Sequence, residues 1–298
     1  MKISLISRDN GAGLSTDMKL LDAMFTEAGH DVHRVDWRDK SMPRCDVGIF
    51  LELMNPALLR YMDKSVGIFN MEWFVIGWRR YLNNFDQLWA KSHEALDIFN
   101  QLGHKKRSTF TGFLTRDVQD ISVPRKMEAF HLKGHSDLKG TEDVLQAWSL
   151  NPDLPPLTIV SNNPVEIPDN VRLLRCIPDD ELFNLMNENI IHVCPSRAEG
   201  WAHYITEGLS AGGIVITTNA SPMNEQVRPE WGVLLDPSRT QRRGMASEHL
   251  VSHNAIAESV RMVAGMSQHE VATRSRLGRG HVIRRNAEFR EIVLDLLK

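Results

Sequence analysis

The sequence predicts an α/β protein of two domains, each built on a parallel sheet. Short apolar or β-branched runs alternate with helix-like segments along most of the chain, and the alternation lapses once, around residues 116–125, before it starts again. The length of 298 residues suits two domains of ordinary size, each able to bury its own core.

In the first half, residues 2–7, 31–36, 46–51, 65–70, 87–91 and 107–111 read as strands, with helices from Ser15 to Ala28 and from His93 to Leu102. Asn10-Gly11-Ala12-Gly13-Leu14-Ser15 joins the first strand to the first helix, and its glycines let the backbone approach a ligand closely. The Gly-x-Gly-x-x-Gly spacing of a dinucleotide fingerprint is absent. Arg116 to Arg125 is polar and aperiodic, as an interdomain linker would be. Strands follow at Glu128 to Leu132, Leu157 to Ser161, Val171 to Leu174, Ile190 to Cys194, Ile214 to Thr217 and Gly232 to Leu235. Helix starts are expected near Lys139, Asp179, Trp201, Pro222 and Ser247. This gives an N-terminal domain over 1–122, a C-terminal domain over 123–285 and a terminal helix over 286–298.

Composition narrows the function class. Hydrophobic content of 42% with 24% charged residues is ordinary for a globular protein, and no apolar run approaches the roughly 20 residues of a membrane span. The first residues turn charged too soon for a signal peptide, so a cytoplasmic location is expected. A net charge of −3 argues against a surface that clings everywhere to polyanions. Arg79-Arg80, Lys105-Lys106-Arg107 and Arg242-Arg243 read as solvated edges. Cys45, Cys176 and Cys194 are scattered and odd in number, so they are expected to be reduced core or near-core thiols, and no zinc spacing exists.

The most informative stretch is Pro195 to Glu207. It follows the apolar run Ile190 to Cys194 and sets two carboxylates, Glu199 and Glu207, eight positions apart across a helix start. Ligands of open α/β sheets collect at that end of the strands. Glu199 would lie beside the amides of Gly200, Trp201 and Ala202, with Glu207 two turns into the helix. Upstream, Lys133-Gly134-His135-Ser136-Asp137-Leu138-Lys139-Gly140 leads into another helix, whose free amides beside the Lys139 ammonium make an anion site.

The Glu-x7-Glu spacing, the following Gly212 to Thr218 and Ser221-Pro222-Met223-Asn224-Glu225, and the Lys133 to Gly140 loop together resemble family 4 retaining glycosyltransferases. The likeness is close over about residues 128–236 and looser elsewhere. It implies the GT-B fold: two Rossmann-like domains whose parallel sheets face across a cleft, with Ala287 to Leu297 as the segment returning to the first domain. It also implies a nucleotide-diphosphate sugar as donor substrate, an acceptor hydroxyl, retention of configuration, and neither a metal nor another cofactor. Lys139 would grip the diphosphate, Glu207 would accept bonds from the ribose hydroxyls, and Glu199 with Gly200 and Trp201 would lie near the donor sugar.

Other positions carry two readings each. The family usually has a second basic residue where His135 stands, so either His135 or Lys133 makes that phosphate contact. His203 meets the phosphates or packs on aromatic neighbours, and Glu225 borders the donor pocket or caps its helix. In the first domain Glu72 orients the acceptor or pairs with an arginine such as Arg79. Gly13 and Asp17 line the opposite lip, where Asp17 could equally be a helix cap. Trp73, Phe74 and Trp78 form core or a sugar platform. The acceptor is expected to be a glycan, a lipid-linked glycan or a hydroxymethylated DNA base. Rival functions are a nucleotide-sugar epimerase, a glycoside phosphorylase or a non-catalytic nucleotide-sugar binding protein, and the carboxylate pair alone would also suit a glycosidase.

Overall fold

The computed structural model describes residues 1–11 and 13–298, so Ala12 of the glycine-bearing loop lies outside the described residues. The chain forms two compact units. Unit 1 comprises Met1–Leu114, Arg242–Ala246 and Arg285–Lys298, and unit 2 comprises Thr115–Gln241 and Ser247–Arg284.

Unit 1 contains β1 (Lys2–Ser7), α1 (Gly13–Glu27), β2 (Asp31–Asp36), β3 (Cys45–Leu51), β4 (Met62–Ile68), β5 (Gln87–Ala90), α2 (His93–Gln101) and β6 (Ser108–Phe110). The strands form one parallel sheet in the order β2-β1-β3-β4-β5-β6. β3 shows why: nearly every residue of Cys45–Leu51 is buried, as expected of a strand covered on both faces. Phe85 meets Phe50 and Phe69 edge-on at centroid distances of 5.2 and 5.5 Å, filling the core on one face. Within residues 285–298, Phe289 is fully buried against Phe113, and Leu296 O accepts from Lys64 Nζ at 2.7 Å.

Unit 2 contains β7 (Lys126–Gly134), α3 (Thr141–Leu150), β8 (Leu157–Ser161), β9 (Val171–Leu174), α4 (Asp179–Glu188), β10 (Asn189–Cys194), α5 (His203–Ser210), β11 (Ile214–Thr218), α6 (Met223–Gln226) and β12 (Gly232–Leu235). The hairpin β13 (Arg239–Arg243) and β14 (Ala246–Leu250) follows, then α7 (His253–Ala264) and α8 (Gln268–Leu296). The six main strands are parallel in the order β12-β11-β10-β7-β8-β9. Chain direction across this sheet reverses between β7 and β10, and across the sheet of unit 1 between β1 and β3. Loops at such switch points leave a crevice at the carboxyl edge.

Four expectations need correction. The helix expected near Ser247 is strand β14, because Gly244 at φ 57° turns the chain into a hairpin, and the next helix is capped by Ser252, whose side chain accepts from Ala255 N. The helix expected at Trp201 starts at His203, after Ala202 adopts a left-handed φ of 68°. The linker is part of unit 2: Val118 N donates to Ser210 Oγ, and Asn187 Nδ2 donates to Val118 O at 2.7 Å. The unit boundary therefore falls at Leu114/Thr115, ahead of the sequence boundary at 122/123. Cys45 and Cys194 are buried, but Cys176 is exposed. Among the described residues, no helix is long and apolar enough to cross a membrane.

Candidate active site

At the switch point of unit 2, the loop leaving β7 and the loop leaving β10 touch. Asp137–Lys139 forms one turn of 3-10 helix, Gly140 takes φ 67°, and α3 begins at Thr141. A Cβ on Gly140 would stand 2.4 Å from Pro195 O, so only glycine permits this approach. The approach sets Lys139 against the second loop: its Nζ donates to Glu199 Oε1 at 2.7 Å and lies 3.4 Å from the centroid of the Tyr204 ring. Ser196 Oγ donates to the same carboxylate oxygen at 2.6 Å. Its proton is thereby used, so the Tyr204 hydroxyl donates to Ser196 Oγ across 2.5 Å. Burial holds the Tyr204 phenol above its ordinary range, which keeps that donor protonated.

Glu207 lies one turn along α5 from Tyr204, on the same face. It is 2% exposed, and its Oε1 accepts from Arg116 Nε at 2.6 Å. Arg116 continues to Asp179 Oδ2 at 3.1 Å and stacks over Phe183 at 4.7 Å. Neither Arg116 nor Ser196 was singled out from sequence. Arg116 sits in what reads as linker, and the only available signal was an isolated cation in that stretch.

Beneath the loops, His131 is fully buried. Its Nδ1 must donate to Val193 O at 2.7 Å, which leaves Nε2 to accept from Thr141 Oγ1 at 2.8 Å. The start of α3 is thereby tied to β7 and β10. Burial lowers the His131 pKa to about 4, so the ring is neutral near pH 7.

The remaining sequence candidates of unit 2 have the following surroundings. His135 Nε2 accepts from Asn162 Nδ2 at 2.8 Å, whereas Lys133 pairs with Asp137 at 3.0 Å. Gly134, between them, takes φ 56° and faces open space. Gly200 is half-buried, the Trp201 indole is buried, and His203 is the half-buried first residue of α5. Glu225 is bonded by the nearby Ser221 hydroxyl at the start of α6.

In unit 1 the carboxyl edge is differently furnished. Asp17 is no helix cap: it is buried inside α1, and its Oδ2 accepts from Lys91 Nζ at 2.5 Å. Lys91 also lies 4.4 Å from the centroid of the Phe113 ring. Glu52, just past β3, takes a left-handed φ of 61° and accepts from Asn70 Nδ2 at 2.9 Å. Sequence reading missed Glu52 and placed emphasis on Glu72, which is 7% exposed in the turn Met71–Trp73. Gly13 opens α1, whose start is bridged by Asn10 and Asp9 to Ser15. Phe74 belongs to the core, but Trp73 is 50% exposed.

No curated protein sequence matches the chain. Residues 163–259 match the family described as "Glycosyl transferases group 1", a segment that holds Glu199, Glu207 and Glu225. The fold is shared with sucrose-phosphate synthase from Thermosynechococcus elongatus, at a TM-score of 0.79 and 14% identity over 99% of this chain and 98% of that one. A glycosyltransferase from Rickettsia africae gives 0.77 and 12%, covering 100% and 97% of the two chains. Anabaena HepE, solved in complex with UDP-glucose, gives 0.71 and 15%, covering 99% and 100%. Two six-stranded parallel sheets of this GT-B type, with a group 1 segment across the second, support a glycosyltransferase.

Proposed function

We propose that the chain moves a sugar from a nucleotide-diphosphate sugar to an acceptor hydroxyl with retention of configuration, with unit 2 as the donor-binding unit. The observation that carries this reading is the Lys139–Glu199–Tyr204 cluster at the β7/β10 switch point, with Glu207 on the same helix face. HepE, of the same fold, is solved with UDP-glucose and with UDP.

In this reading Lys139 exchanges Glu199 for diphosphate oxygens. The start of α3, braced by His131, adds its amides to hold charge as it grows on the leaving group. Glu199, once released by the ammonium, turns to the hydroxyls of the donor sugar beside Gly200 and Trp201. Arg116 bonds one oxygen of Glu207, and the second accepts from the ribose. His135 is exposed, whereas Lys133 is engaged by Asp137, which supports His135 as the further phosphate contact. His203 and Glu225 border the donor. The leaving diphosphate takes the acceptor's proton on the face it departs from, so no protein nucleophile or metal is required.

Calorimetric titration with UDP, GDP and ADP tests the assignment. At least one of them binds the native chain, and both Lys139→Ala and Glu207→Ala weaken that binding about tenfold or more. Unchanged affinity in both variants sinks it. Release of nucleotide diphosphate only when an acceptor is present marks transfer, whereas an isomerised sugar nucleotide without acceptor marks an epimerase.

A further inference from the structure

A surface of unusual composition lies on unit 1. Large apolar side chains exposed singly are common on any protein. Here three crowd into four positions: Trp73, Val75 and Ile76 are 50%, 51% and 55% exposed, and no other four consecutive positions among the described residues hold even two such side chains. The backbone puts them there. Phe74 and Val75 are extended, so the buried Phe74 points into the core while its neighbours on either side point out. Phe74 meets Trp78 edge-on at 5.9 Å and Leu82 is fully buried, so the exposed side chains stand on an anchored segment.

Cations frame the apolar edge. Ile76–Asn84 is 3-10 helix, in which side chains three positions apart eclipse. Ile76 and Arg79 therefore share one row and Gly77 and Arg80 the next, while Trp78 and Tyr81 form the half-buried row that packs on the core. Arg79 and Arg80 are exposed, and neither pairs with a carboxylate among the described residues. The turn between β13 and β14, which belongs to unit 1, adds two more arginines. Gly244 packs over the Met71–Phe74 turn: a Cβ on it would stand 3.6 to 3.7 Å from the carbonyl oxygens of Met71, Glu72 and Phe74. This sets Arg243 Cζ 4.9 Å from the centroid of the Trp73 ring and leaves Arg242 exposed, with its Nε bonded to Gly244 O. From residue 70 to residue 82 the one carboxylate is that of Glu72, and it is buried.

We infer that this face of unit 1 docks on an anionic bilayer surface, with Trp73, Val75 and Ile76 entering the headgroup region and Arg79, Arg80 and Arg242 meeting lipid phosphates. An indole settles at that depth because its ring is apolar and its N–H is polar. Each arginine adds attraction to an anionic leaflet, and the attraction falls off within a Debye length. The branched aliphatic side chains argue against nucleic acid as the occupant, since Val75 and Ile76 can neither stack on bases nor bond phosphates. The arginines argue against a second copy of the chain, because across a two-fold interface the patch would meet its own charge. The inference rests on unit 1 alone and does not depend on the proposed donor site of unit 2.

The test is co-sedimentation of the full chain with vesicles of phosphatidylcholine and of phosphatidylcholine mixed with phosphatidylglycerol. Binding to the mixed vesicles is expected to exceed binding to phosphatidylcholine at least about tenfold and to weaken as salt is raised. The double variants Val75→Ser/Ile76→Ser and Arg79→Glu/Arg80→Glu each lower it at least about tenfold with the unfolding temperature unchanged, because all four positions are exposed. Lys139→Ala binds vesicles as the native chain does, which separates this surface from the donor site. Brominated phosphatidylcholine in the mixed vesicles quenches part of the native tryptophan emission, and that quenching is largely lost in Trp73→Phe, which keeps an apolar ring and still binds. Absence of binding to mixed vesicles, binding untouched by both double variants, or quenching that persists in Trp73→Phe would each overturn the inference. So would two other outcomes in place of vesicle binding: salt-sensitive retention on duplex DNA that only the arginine variant loses, or a dimer that Val75→Ser/Ile76→Ser dissolves.

Discussion

Each unit places a largely buried lysine–carboxylate pair near the carboxyl edge of its sheet, and the two pairs differ in what surrounds them. In unit 1 the side chains of Lys91 and Asp17 are 4% and 3% exposed, while in unit 2 those of Lys139 and Glu199 are 15% and 14% exposed. Lys91 is held by an aspartate within a helix and by a phenyl ring, so its charge is spent inside the unit. Lys139 stands on a single helical turn beside the open amides of α3, against a glutamate in a loop. A closed pair of this kind is a fixed strut, and the proposed function requires the more exposed one to exchange its partner. Glu52 gives unit 1 its own partly open acid, and burial raises its pKa despite the nearby Lys91 and Arg8.

The contrast can be broken most forcefully through the closed pair. Asp17→Ala removes the carboxylate hydrogen-bonded to the buried Lys91 and is expected to destabilise the protein by about 3–5 kcal/mol, read from urea unfolding. Lys139→Ala is expected to lower nucleotide-diphosphate affinity by up to about a hundredfold, since it removes both charge and hydrogen bonds from the anion site, yet to cost less stability than Asp17→Ala. If the two variants lose the same stability, the distinction between strut and contact fails.

Acid sharpens the comparison, because both histidines buried in the unit 2 sheet have their pKa lowered to about 4 by burial. Near the ordinary value of 6.5 the unfolded chain takes up protons that the folded one refuses, so this stability is intact above about pH 6.5 and is lost as pH falls toward 4. Between pH 6.5 and 5 each histidine should remove about 2 kcal/mol. Unfolding curves across that window should fall, and less steeply in His131→Gln, which does not titrate; a pH-independent stability refutes the burial argument.

Glu207→Gln keeps the shape but weakens the bond to Arg116 and, under the proposed function, one to the donor ribose, so about a tenfold loss of nucleotide affinity is expected by calorimetry. The smallest effect belongs to Glu52→Gln. An acid whose folded pKa is raised loses stability as pH climbs through that value, so the amide should raise the unfolding temperature slightly at pH 7 and leave nucleotide affinity alone. A drop in nucleotide affinity there would tie Glu52 to the donor.

Much of the fold was legible because buried parallel strands must be apolar along their whole length, as Leu157–Ser161 and Ile190 to Cys194 are. The hairpin at 239–250 escaped because it is polar and mostly exposed, leaving no period to read, and Ser252 supplied a helix cap slightly beyond the expected start. Lys139, Glu199 and Glu207 could be named from local spacing, since a loop between strand and helix fixes which side chains stand at the sheet edge. Arg116 could not, nor could the pairing of Asp17 with Lys91, because each depends on a partner 91 or 74 residues away.

The sequence by itself determined the buried parallel strands, most of the helices and the residues at the mouth of the unit 2 sheet, because hydrophobic period and helix starts are local properties. Only the tertiary structure decided which charges are spent inside the fold: that Lys91 is closed off, that Lys139 keeps partial exposure and that Glu207 is tied to Arg116. Burial and pairing depend on what the rest of the chain brings within a few ångströms, and no stretch of sequence carries that information.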